Sequence, residues 1–198
     1  MVDGNTSSDK GEFTLTVEED PSLALTAPIT KTDVSCNGGS DGEAYISISG
    51  GTSPYNVQWS PSGASTDTIK NLTAGNYTVS VTDQQNCTVS NTVTIHEPAP
   101  LSVSATSTDP VCNGGNGGSI TITSSSGGTP PYEYSIGGGF QPSTTFNNVS
   151  AGTKTVTIKD ANTCTGDTTI TVNDPPAINL NLTATDVSCA NAADGTVT

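Results

Sequence analysis

The five cysteines are the residues of this chain that could form covalent bonds. Cys36 and Cys112 lie in one recurring motif, Cys87 and Cys164 lie in another, and Cys189 follows in the last part of the sequence. We predict the disulfides Cys36–Cys87 and Cys112–Cys164, each worth roughly 3–4 kcal/mol by the chain-entropy model. The competing pairing joins Cys87 to Cys112 and Cys164 to Cys189. Regular cysteine spacing indicates an oxidising compartment, and the lack of a Cys-x-x-Cys pair argues against zinc.

Acidic residues recur beside the cysteines and before the prolines, where they could bind a cation. Calcium takes about six to eight oxygen ligands, and loop carboxylates together with backbone carbonyls can supply them. The candidate calcium ligands are Asp33, Asp83, Glu97, Asp109, Asp160 and Asp174. The competing interpretation is that these carboxylates are solvated and cap turns, because the sequence has neither EF-hand spacing nor a dense run of aspartates.

Catalytic chemistry is hard to build from this sequence. His96 is the only histidine, and Asn173 stands at the corresponding place later in the chain, so a recurring Ser-His-Asp set is excluded. The glycine-rich run 113–118 lacks the Gly-Lys-Ser/Thr ending of a phosphate-binding loop, which favours a hairpin. Each acidic residue that could serve a glycosidase pair has a turn or linker explanation. We therefore predict that the chain is not an enzyme.

These residues recur because the chain contains an internal repeat of about 77 residues. The motif Asp-Val-Ser-Cys-Asn-Gly-Gly at 33–39 returns as Asp-Pro-Val-Cys-Asn-Gly-Gly at 109–115 and as Asp-Val-Ser-Cys-Ala-Asn at 186–191. A repeat of this length indicates an array of similar domains, and such arrays span distance or present surface.

The repeat sets the predicted domain boundaries. We place repeat 1 at 24–98 and repeat 2 at 99–175, with 1–23 as the closing strand or strands of a preceding repeat and 176–198 as the start of a third, truncated one. We therefore expect the chain to be a segment of a longer polypeptide. The linkers contain proline, which restricts the backbone, so we expect stiff joints and a rod.

Strand patterns dominate both repeats. Apolar residues alternate with polar ones, which is the period of a strand with one buried face. In repeat 1 the alternation runs through 25–29, 44–48, 55–59, 77–81 and 93–95. Asn37-Gly38 and Asn113-Gly114 suit turn positions of positive φ. Six or seven short strands in about 75 residues predict an all-β chain of tandem immunoglobulin-like β-sandwiches, with Trp59 in the first core.

Charge and hydropathy exclude several classes of partner. The formal net charge is −14, with five lysines and no arginine, so nucleic acid and anionic membrane surfaces are disfavoured. No apolar run is long enough for a membrane span. The first residues lack the apolar core of a signal peptide, so we expect any export signal to lie outside this segment.

Taken together, the motifs resemble the SprB repeat. The matching stretches are Cys-Asn-Gly-Gly-Ser-Asp-Gly (36–42), Gly-Gly-Thr-Ser-Pro-Tyr (50–55), Leu-Thr-Ala-Gly-Asn-Tyr-Thr-Val-Ser-Val-Thr-Asp (72–83) and Asn-Cys-Thr (86–88). The resemblance covers both full repeats and the partial third. It implies modules of large cell-surface adhesins of gliding Bacteroidetes, exported by type IX secretion. Repeat 2 departs from the pattern, with Lys154 in place of Tyr77.

We therefore expect an extracellular, non-catalytic stalk or filament segment of a secreted cell-surface adhesin. Its partners would be neighbouring repeats and surface polysaccharide or other cell-surface proteins. One alternative is a spacer or carbohydrate-binding module of a secreted polysaccharide-degrading enzyme, for which Tyr45 and Phe140 are the candidate exposed aromatics. Another is a subunit of a polymerised filament. Thr68 and Thr168 follow aspartates in sequences that resemble a short O-glycosylation signal of Bacteroidetes, and are the candidate glycosylation sites.

Overall fold

The computed structural model describes residues 24–198, which form fourteen β-strands and no helix. The prediction for 1–23 lies outside the described residues. Repeat 1 contains β1 Ile29–Thr32, β2 Gly42–Ile46, β3 Asn56–Ser60, β4 Thr68–Leu72, β5 Gly75–Thr82 and β6 Thr88–Ile95. Repeat 2 contains β7 Ser102–Thr108, β8 Gly118–Ser126, β9 Glu133–Ser135, β10 Thr145–Val149, β11 Gly152–Lys159 and β12 Thr165–Val172. The last strands are β13 Ala184–Thr185 and β14 Thr196–Val197.

Each repeat builds the same pair of three-stranded antiparallel sheets. In repeat 1 the strand orders are β1-β2-β4 and β3-β5-β6, and in repeat 2 they are β7-β8-β10 and β9-β11-β12. The hairpin β13-β14 pairs Thr185 with Thr196, which corresponds to the pairing of Thr32 with Glu43 between β1 and β2. The all-β, tandem immunoglobulin-like architecture predicted from the alternation is confirmed. Within 24–198, no helix has the length and hydropathy that crossing a membrane requires.

The described chain forms two compact units whose bounds differ from the sequence repeats. Unit 1 comprises 24–32, Glu43–Lys70 and Gly75–Thr94. Unit 2 comprises Asp33–Gly42, Asn71–Ala74 and Ile95–Thr198. The loop that carries Cys36 therefore belongs to unit 2, although it lies in the first repeat of the sequence.

Unit 1 buries the inward residues of its alternating strands. Trp59, Val79 and Val81 are at most 1 % exposed, and Trp59 pairs with Val79 across β3 and β5. The indole Nε1 of Trp59 donates a hydrogen bond of 2.9 Å to the carbonyl of Thr66, so the polar atom of the ring is satisfied inside the core. The prediction that Trp59 fills this core is confirmed.

Unit 2 has a core of the same kind without tryptophan. Ile120, Val156 and Ile158 are fully buried, and Tyr134 is 6 % exposed. The phenol of Tyr134 lies 2.8 Å from the Ser125 hydroxyl, which satisfies its polar end. Tyrosine and aliphatic side chains fill this core in place of the tryptophan of unit 1. As in unit 1, they are the inward-facing residues of strands in which buried and exposed side chains alternate.

The alternation of apolar and polar residues did not predict β4 in repeat 1 or β10 in repeat 2. In β4 the buried residues are Ile69 and Leu72, three positions apart, because Asn71 between them has φ 58°. In β10 the register shifts between Asn147 and Val149, and the intervening Asn148 has φ 59°. Asparagine tolerates this left-handed conformation, and the inserted residue breaks the two-residue period.

The Trp59 ring should dominate the stability of unit 1. We expect Trp59→Ala to lower the unfolding free energy of unit 1 by about 3–5 kcal/mol, because it removes a large buried side chain and leaves a cavity. Hydrogen exchange of β5 peptides measures this change. The matched control is Tyr45→Ala, which truncates an aromatic that is 45 % exposed and should cost under about 0.5 kcal/mol. Equal effects of the two changes would contradict a core role for Trp59.

Candidate functional site

The cysteines occupy two structural elements that recur in both repeats. The first-cysteine loops, 33–41 and 109–117, follow the first strand of each repeat and contain Cys36 and Cys112. The second-cysteine turns, 83–87 and 160–164, join the last two strands of each repeat and contain Cys87 and Cys164. Carboxylates shape all four elements, and they include the six predicted calcium ligands.

In repeat 1, two carboxylates tie the first-cysteine loop to the linker after β6. Asp33 Oδ1 accepts the His96 N–H at 2.8 Å, and the Val34 N–H returns a bond of 2.9 Å to the His96 carbonyl. Glu97 Oε2 accepts the Gly38 N–H at 2.6 Å. Glycine suits position 38 because its φ is 71°. The acidic residue before proline thus fixes the loop that carries Cys36.

Repeat 2 uses the same two carboxylate contacts, although Pro110, at the position of Val34, has no N–H to donate. Asp109 Oδ1 accepts the Asn173 N–H at 2.8 Å, and Asp174 Oδ1 accepts the Gly114 N–H at 2.9 Å. Asn113 Nδ2 adds a bond of 2.7 Å to the carbonyl of Pro175. Glu97 and Asp174 therefore have the same function, although the two side chains differ in length.

The second-cysteine turns depend on a nearly buried aspartate. Asp83 Oδ1 accepts the N–H groups of Gln85 at 2.9 Å and Cys87 at 2.8 Å, while Oδ2 accepts the N–H of Thr52 at 2.9 Å. The hydrogen bond from Thr52 is the largest influence that holds the pKa of Asp83 below its usual value, because it favours the charged form. The carboxylate joins its own turn to the loop before β3.

Asp160 repeats this arrangement in unit 2. It accepts the N–H groups of Asn162 and Cys164, each at 2.9 Å, and that of Thr129 at 2.8 Å. Asp160 is 3 % exposed and Asp83 is 6 % exposed. Sequence analysis singled out both aspartates but missed their partners Thr52 and Thr129. The recurrent Gly-Gly-Thr before proline was the available signal.

All six predicted calcium ligands accept main-chain hydrogen bonds. Among residues 24–198, no three His, Cys, Asp or Glu side chains come together closely enough to hold a metal ion. Asp109 and Asp174 also accept side-chain hydrogen bonds from Asn173 Nδ2 and Asn113 Nδ2. Calcium binding stays a prediction.

A disulfide joins the first-cysteine loop of repeat 1 to the second-cysteine turn of repeat 2. Cys36 is bonded to Cys164 with a Cα–Cα distance of 5.6 Å, and both residues belong to unit 2. The Ser35 carbonyl accepts a hydrogen bond of 3.2 Å from Asn162 Nδ2, which holds the two elements together beside the bond. A cleft of about 310 Å³ adjoins the disulfide and is lined partly by Asn37, Leu101, Gly128 and Thr165.

This pairing corrects the predicted disulfides, Cys36–Cys87 and Cys112–Cys164, since Cys87 and Cys112 are free thiols. The reason is the length of β6. The first-cysteine loop bonds to His96, just after β6 ends, whereas Cys87 lies just before β6 begins. The eight residues of β6 span about 26 Å, far beyond the reach of a disulfide. The competing pairing, Cys87–Cys112 with Cys164–Cys189, is also wrong, because Cys164 bonds to Cys36.

The predicted glycosylation sites lie on strands. Thr68 is half-buried at the start of β4, and Thr168 is half-buried in β12, opposite Val156 of β11. Their modification stays a prediction.

Residues 29–64 and 104–139 match the SprB repeat family. Two segments of the chain, one in each repeat, are thus similar to the SprB repeat. Each matched segment includes one first-cysteine loop, with Cys36 in the first and Cys112 in the second. SprB repeats are associated with cell-surface proteins and are typically non-catalytic structural domains, and the two matches support a repeat segment of a cell-surface protein. No curated protein matches the sequence.

The solved structures that this chain matches include immunoglobulin-domain ectodomains. The mouse nectin-like molecule 4 ectodomain (Ig1–Ig3) matches with a TM-score of 0.34 and 12 % identity, covering 79 % of this chain and 68 % of that one. The eight N-terminal Ig domains of Down Syndrome Cell Adhesion Molecule match with a TM-score of 0.31 and 14 % identity, covering 74 % of this chain and 24 % of that one.

The Cys36–Cys164 bond should stabilise unit 2. We expect Cys164→Ala to lower its unfolding free energy by about 5 kcal/mol, because the bond closes a long loop in the unfolded chain. Hydrogen exchange of β11 peptides reports the change. Cys112→Ala is the matched control and should leave stability unchanged, because Cys112 is an exposed free thiol of the same unit. A Cys36–Cys87 peptide in a non-reducing peptide map would contradict the pairing.

Asp83 should make unit 1 sensitive to acid. Its pKa is lowered on folding, so its contribution is complete above the unfolded value of about 3.9 and is lost as pH falls through the lower folded value. We expect Asp83→Asn to lower the melting temperature of unit 1 at neutral pH, and the difference from the unsubstituted chain to shrink below about pH 4. Fluorescence of Trp59, the only tryptophan, reports unit 1. Asp67→Asn, at an exposed aspartate of the same unit, is the control. A pH-independent difference would contradict the ionic role.

Proposed function

We propose that this chain is a non-catalytic stalk segment of a large secreted adhesin on the cell surface, and that it serves surface attachment and gliding. The observation that carries the proposal is the duplication of the whole construction. The same two sheets, the same capped cysteine loops and the same proline linkers occur in both repeats. A chain selected for length repeats its scaffold, whereas a catalytic chain concentrates unlike side chains at one place.

The polar side chains at the ends of the repeats support a scaffold role. Asp33, Glu97, Asp109 and Asp174 accept main-chain N–H groups between the first-cysteine loops and the linkers. Asp83 and Asp160 do the same within the second-cysteine turns. Hydrogen bonds to ionised acceptors are stronger than those between neutral groups, so these contacts hold the ends of each repeat in one conformation.

The surface charge also suits a long extracellular array. A formal net charge of −14 over 198 residues keeps neighbouring copies apart and solvated. Serine and threonine dominate the exposed faces of the strands, and cross-strand hydroxyl pairs such as Thr78 with Thr92 satisfy them at 2.8 Å.

Exposed aromatics favour carbohydrate binding as a second candidate function. Tyr45 is 45 % exposed on β2, and Phe140 is 39 % exposed, with the Lys159 ammonium 4.4 Å from its ring centre. Aromatic faces of this kind can stack on sugars. The two residues are not at equivalent positions, since Thr121 corresponds to Tyr45 in repeat 2. The stalk proposal explains the features that occur in both repeats. Tyr45 and Phe140 each occur in one repeat only, so they are the features that favour the second function.

Localisation of the parent protein separates the two functions. Antibody raised against 24–175 should decorate filaments on intact source cells by immunogold microscopy and should detect a very large polypeptide on a blot. Pre-absorption of the antibody with the purified chain is the control. Label confined to the medium, on a parent of ordinary enzyme size, would overturn the stalk proposal and favour the spacer or carbohydrate-binding role.

Calcium at the linkers belongs to the same proposal, because a bound cation would stiffen the joints. Glu97 and Asp174 each place a carboxylate beside a first-cysteine loop and a linker carbonyl. We expect calcium to raise the melting temperature of the purified chain and a chelator to reverse the effect. Glu97→Gln with Asp174→Asn should abolish the response, and magnesium is the control cation. If neither calcium nor the chelator changes the melting temperature, the calcium proposal is contradicted, and Glu97 and Asp174 act only as acceptors of main-chain N–H groups.

A further inference from the structure

We infer that the Cys36–Cys164 bond is one of a series, in which the first-cysteine loop of each repeat bonds to the second-cysteine turn of the next repeat in the same polypeptide. Cys112 would then bond to the turn cysteine of the following repeat, and every linker would lie inside a closed covalent loop. This inference rests on the proposed function, because it needs the array of repeats to continue. The partner has a defined chemistry, which is an aspartate followed four residues later by a cysteine, as in 83–87 and 160–164.

The linker after repeat 1, residues 97–100, holds the first-cysteine loop of that repeat. Glu97 accepts the Gly38 N–H at 2.6 Å. The Pro98 carbonyl accepts a hydrogen bond of 3.1 Å from Asn37 Nδ2. The loop is therefore fixed to the residues that lead out of repeat 1 and into repeat 2.

The same linker also holds the turn that carries Cys164. The Ala99 carbonyl accepts the Gly128 N–H at 2.9 Å. The next residue, Thr129, donates its N–H to Asp160, which also accepts the Cys164 N–H. Because the linker is covalently continuous with repeat 2, these contacts bring the turn of the adjacent repeat, and not that of a second copy, to the loop.

The linker after repeat 2, residues 174–177, holds the first-cysteine loop of that repeat through the same contacts. Asp174 accepts the Gly114 N–H at 2.9 Å. Asn113 Nδ2 donates a hydrogen bond of 2.7 Å to the carbonyl of Pro175. The half of the disulfide site that a repeat and its linker contribute is therefore present a second time.

The cleft beside Cys112 shares part of its wall with the cleft beside the observed disulfide. The loop and linker of repeat 1 contribute Cys36, Asn37, Ala99, Pro100 and Leu101. Their counterparts line a cleft of about 390 Å³ and are Cys112, Asn113, Pro176, Ala177 and Ile178. The rest of the first wall, Gly128 and 163–165, comes from repeat 2. The partner that fits the second cleft is therefore the same part of the following repeat.

The bond needs an oxidant, and a small-molecule disulfide such as oxidised glutathione supplies it. The Cys112 thiolate attacks this disulfide, forms a mixed disulfide and releases one glutathione thiolate. The turn cysteine of the following repeat, as its thiolate, attacks the Cys112 sulfur and releases the second. Two cysteine thiols become one disulfide, one glutathione disulfide becomes two thiols, and the two cysteine protons end on those thiols.

Completing the third repeat tests the inference. A copy of residues 119–175 is joined after Gly195, which lies against the Thr185 carbonyl as Gly118 lies against that of Thr108. The copy carries Asp167→Glu as a mass label, because Asp167 is exposed. The extended chain is equilibrated in a glutathione redox buffer, and its thiols are then titrated under denaturing conditions.

The number of free thiols gives the result. The 198-residue chain has three, Cys87, Cys112 and Cys189, and the copy adds one. We expect two in the extended chain, those of Cys87 and Cys189, and a non-reducing peptide map should link Cys112 to the labelled turn. Four free thiols would contradict the inference. So would a covalent dimer of the extended chain in place of the internal bond.

Variants of the extended chain separate a built site from chance oxidation. Cys112→Ser should leave three free thiols, because the added turn cysteine loses its partner. Asp174→Ala in the original repeat 2 should lower the yield of the Cys112 bond several-fold, because it frees the loop from its linker. Glu97→Ala is the matched control, since it frees the loop of Cys36 instead and should spare the Cys112 bond. Equal effects of these two changes on the Cys112 bond would contradict the role of the linker.

The parent protein tests the same pairing. It is captured from source cells with antibody to 24–175 after N-ethylmaleimide has blocked free thiols, and a non-reducing peptide map identifies the partner of Cys112. We expect the cysteine of the next second-cysteine turn. Cys112 that carries N-ethylmaleimide, or a parent that doubles in mass without reductant, would overturn the inference. Failure of the immunogold label to decorate filaments would overturn the stalk proposal alone.

Discussion

Main-chain N–H groups at the ends of a β-sandwich have no neighbouring strand to bond, and in this chain ionised carboxylates accept them. Asp83 and Asp160 each accept three such groups. The two carboxylates are nearly buried while the turns they bond are exposed, and hydrogen bonds to an ionised acceptor are stronger than those between neutral groups, so each aspartate holds its turn in one conformation. The conformation of the cysteine-bearing turns, and hence the direction of their thiols, follows from this one kind of contact.

The disulfide depends on that construction. Cys36 and Cys164 are 128 positions apart, and only loops held in fixed conformations can bring their Cα atoms to 5.6 Å. Glu97 fixes one loop, Asp160 fixes the turn, and the amide of Asn162 joins them. Small sandwiches with few aromatic residues bury limited apolar surface, and a covalent bond across a long loop offsets part of that deficit.

The sequence predicted the features that depend on local pattern. The two-residue period placed Trp59, Val79 and Val81 in a core, and the structure buries all three. It missed β4 and β10 because Asn71 and Asn148 take a left-handed conformation that breaks the period. A left-handed asparagine has no distinctive neighbours in sequence, so the two strands carried no readable signal.

The disulfide partners were beyond a sequence argument for a different reason. Which thiols meet depends on which loops share an end of a sandwich, and the bond between Val34 and His96 decides that. That contact joins positions far apart in sequence, and neither a valine nor a histidine is a residue type that indicates such a main-chain bond. Cysteine spacing within a repeat suggested closure inside the repeat, whereas the strand length between the two loops forbids it.

The covalent topology determines how the chain would respond to tension. Tension applied outside residues 36 and 164 passes through their sulfur atoms, and the 128-position loop between them cannot extend while the bond is intact. Without the bond, full extension of that loop would release roughly 400 Å of chain. The bond therefore limits the length that forced unfolding can release, and the sheets β3-β5-β6 and β7-β8-β10 lie wholly inside the protected loop. A disulfide confined to one repeat would leave the linker between repeats outside any closed loop, whereas the observed pairing encloses Pro98 and Pro100.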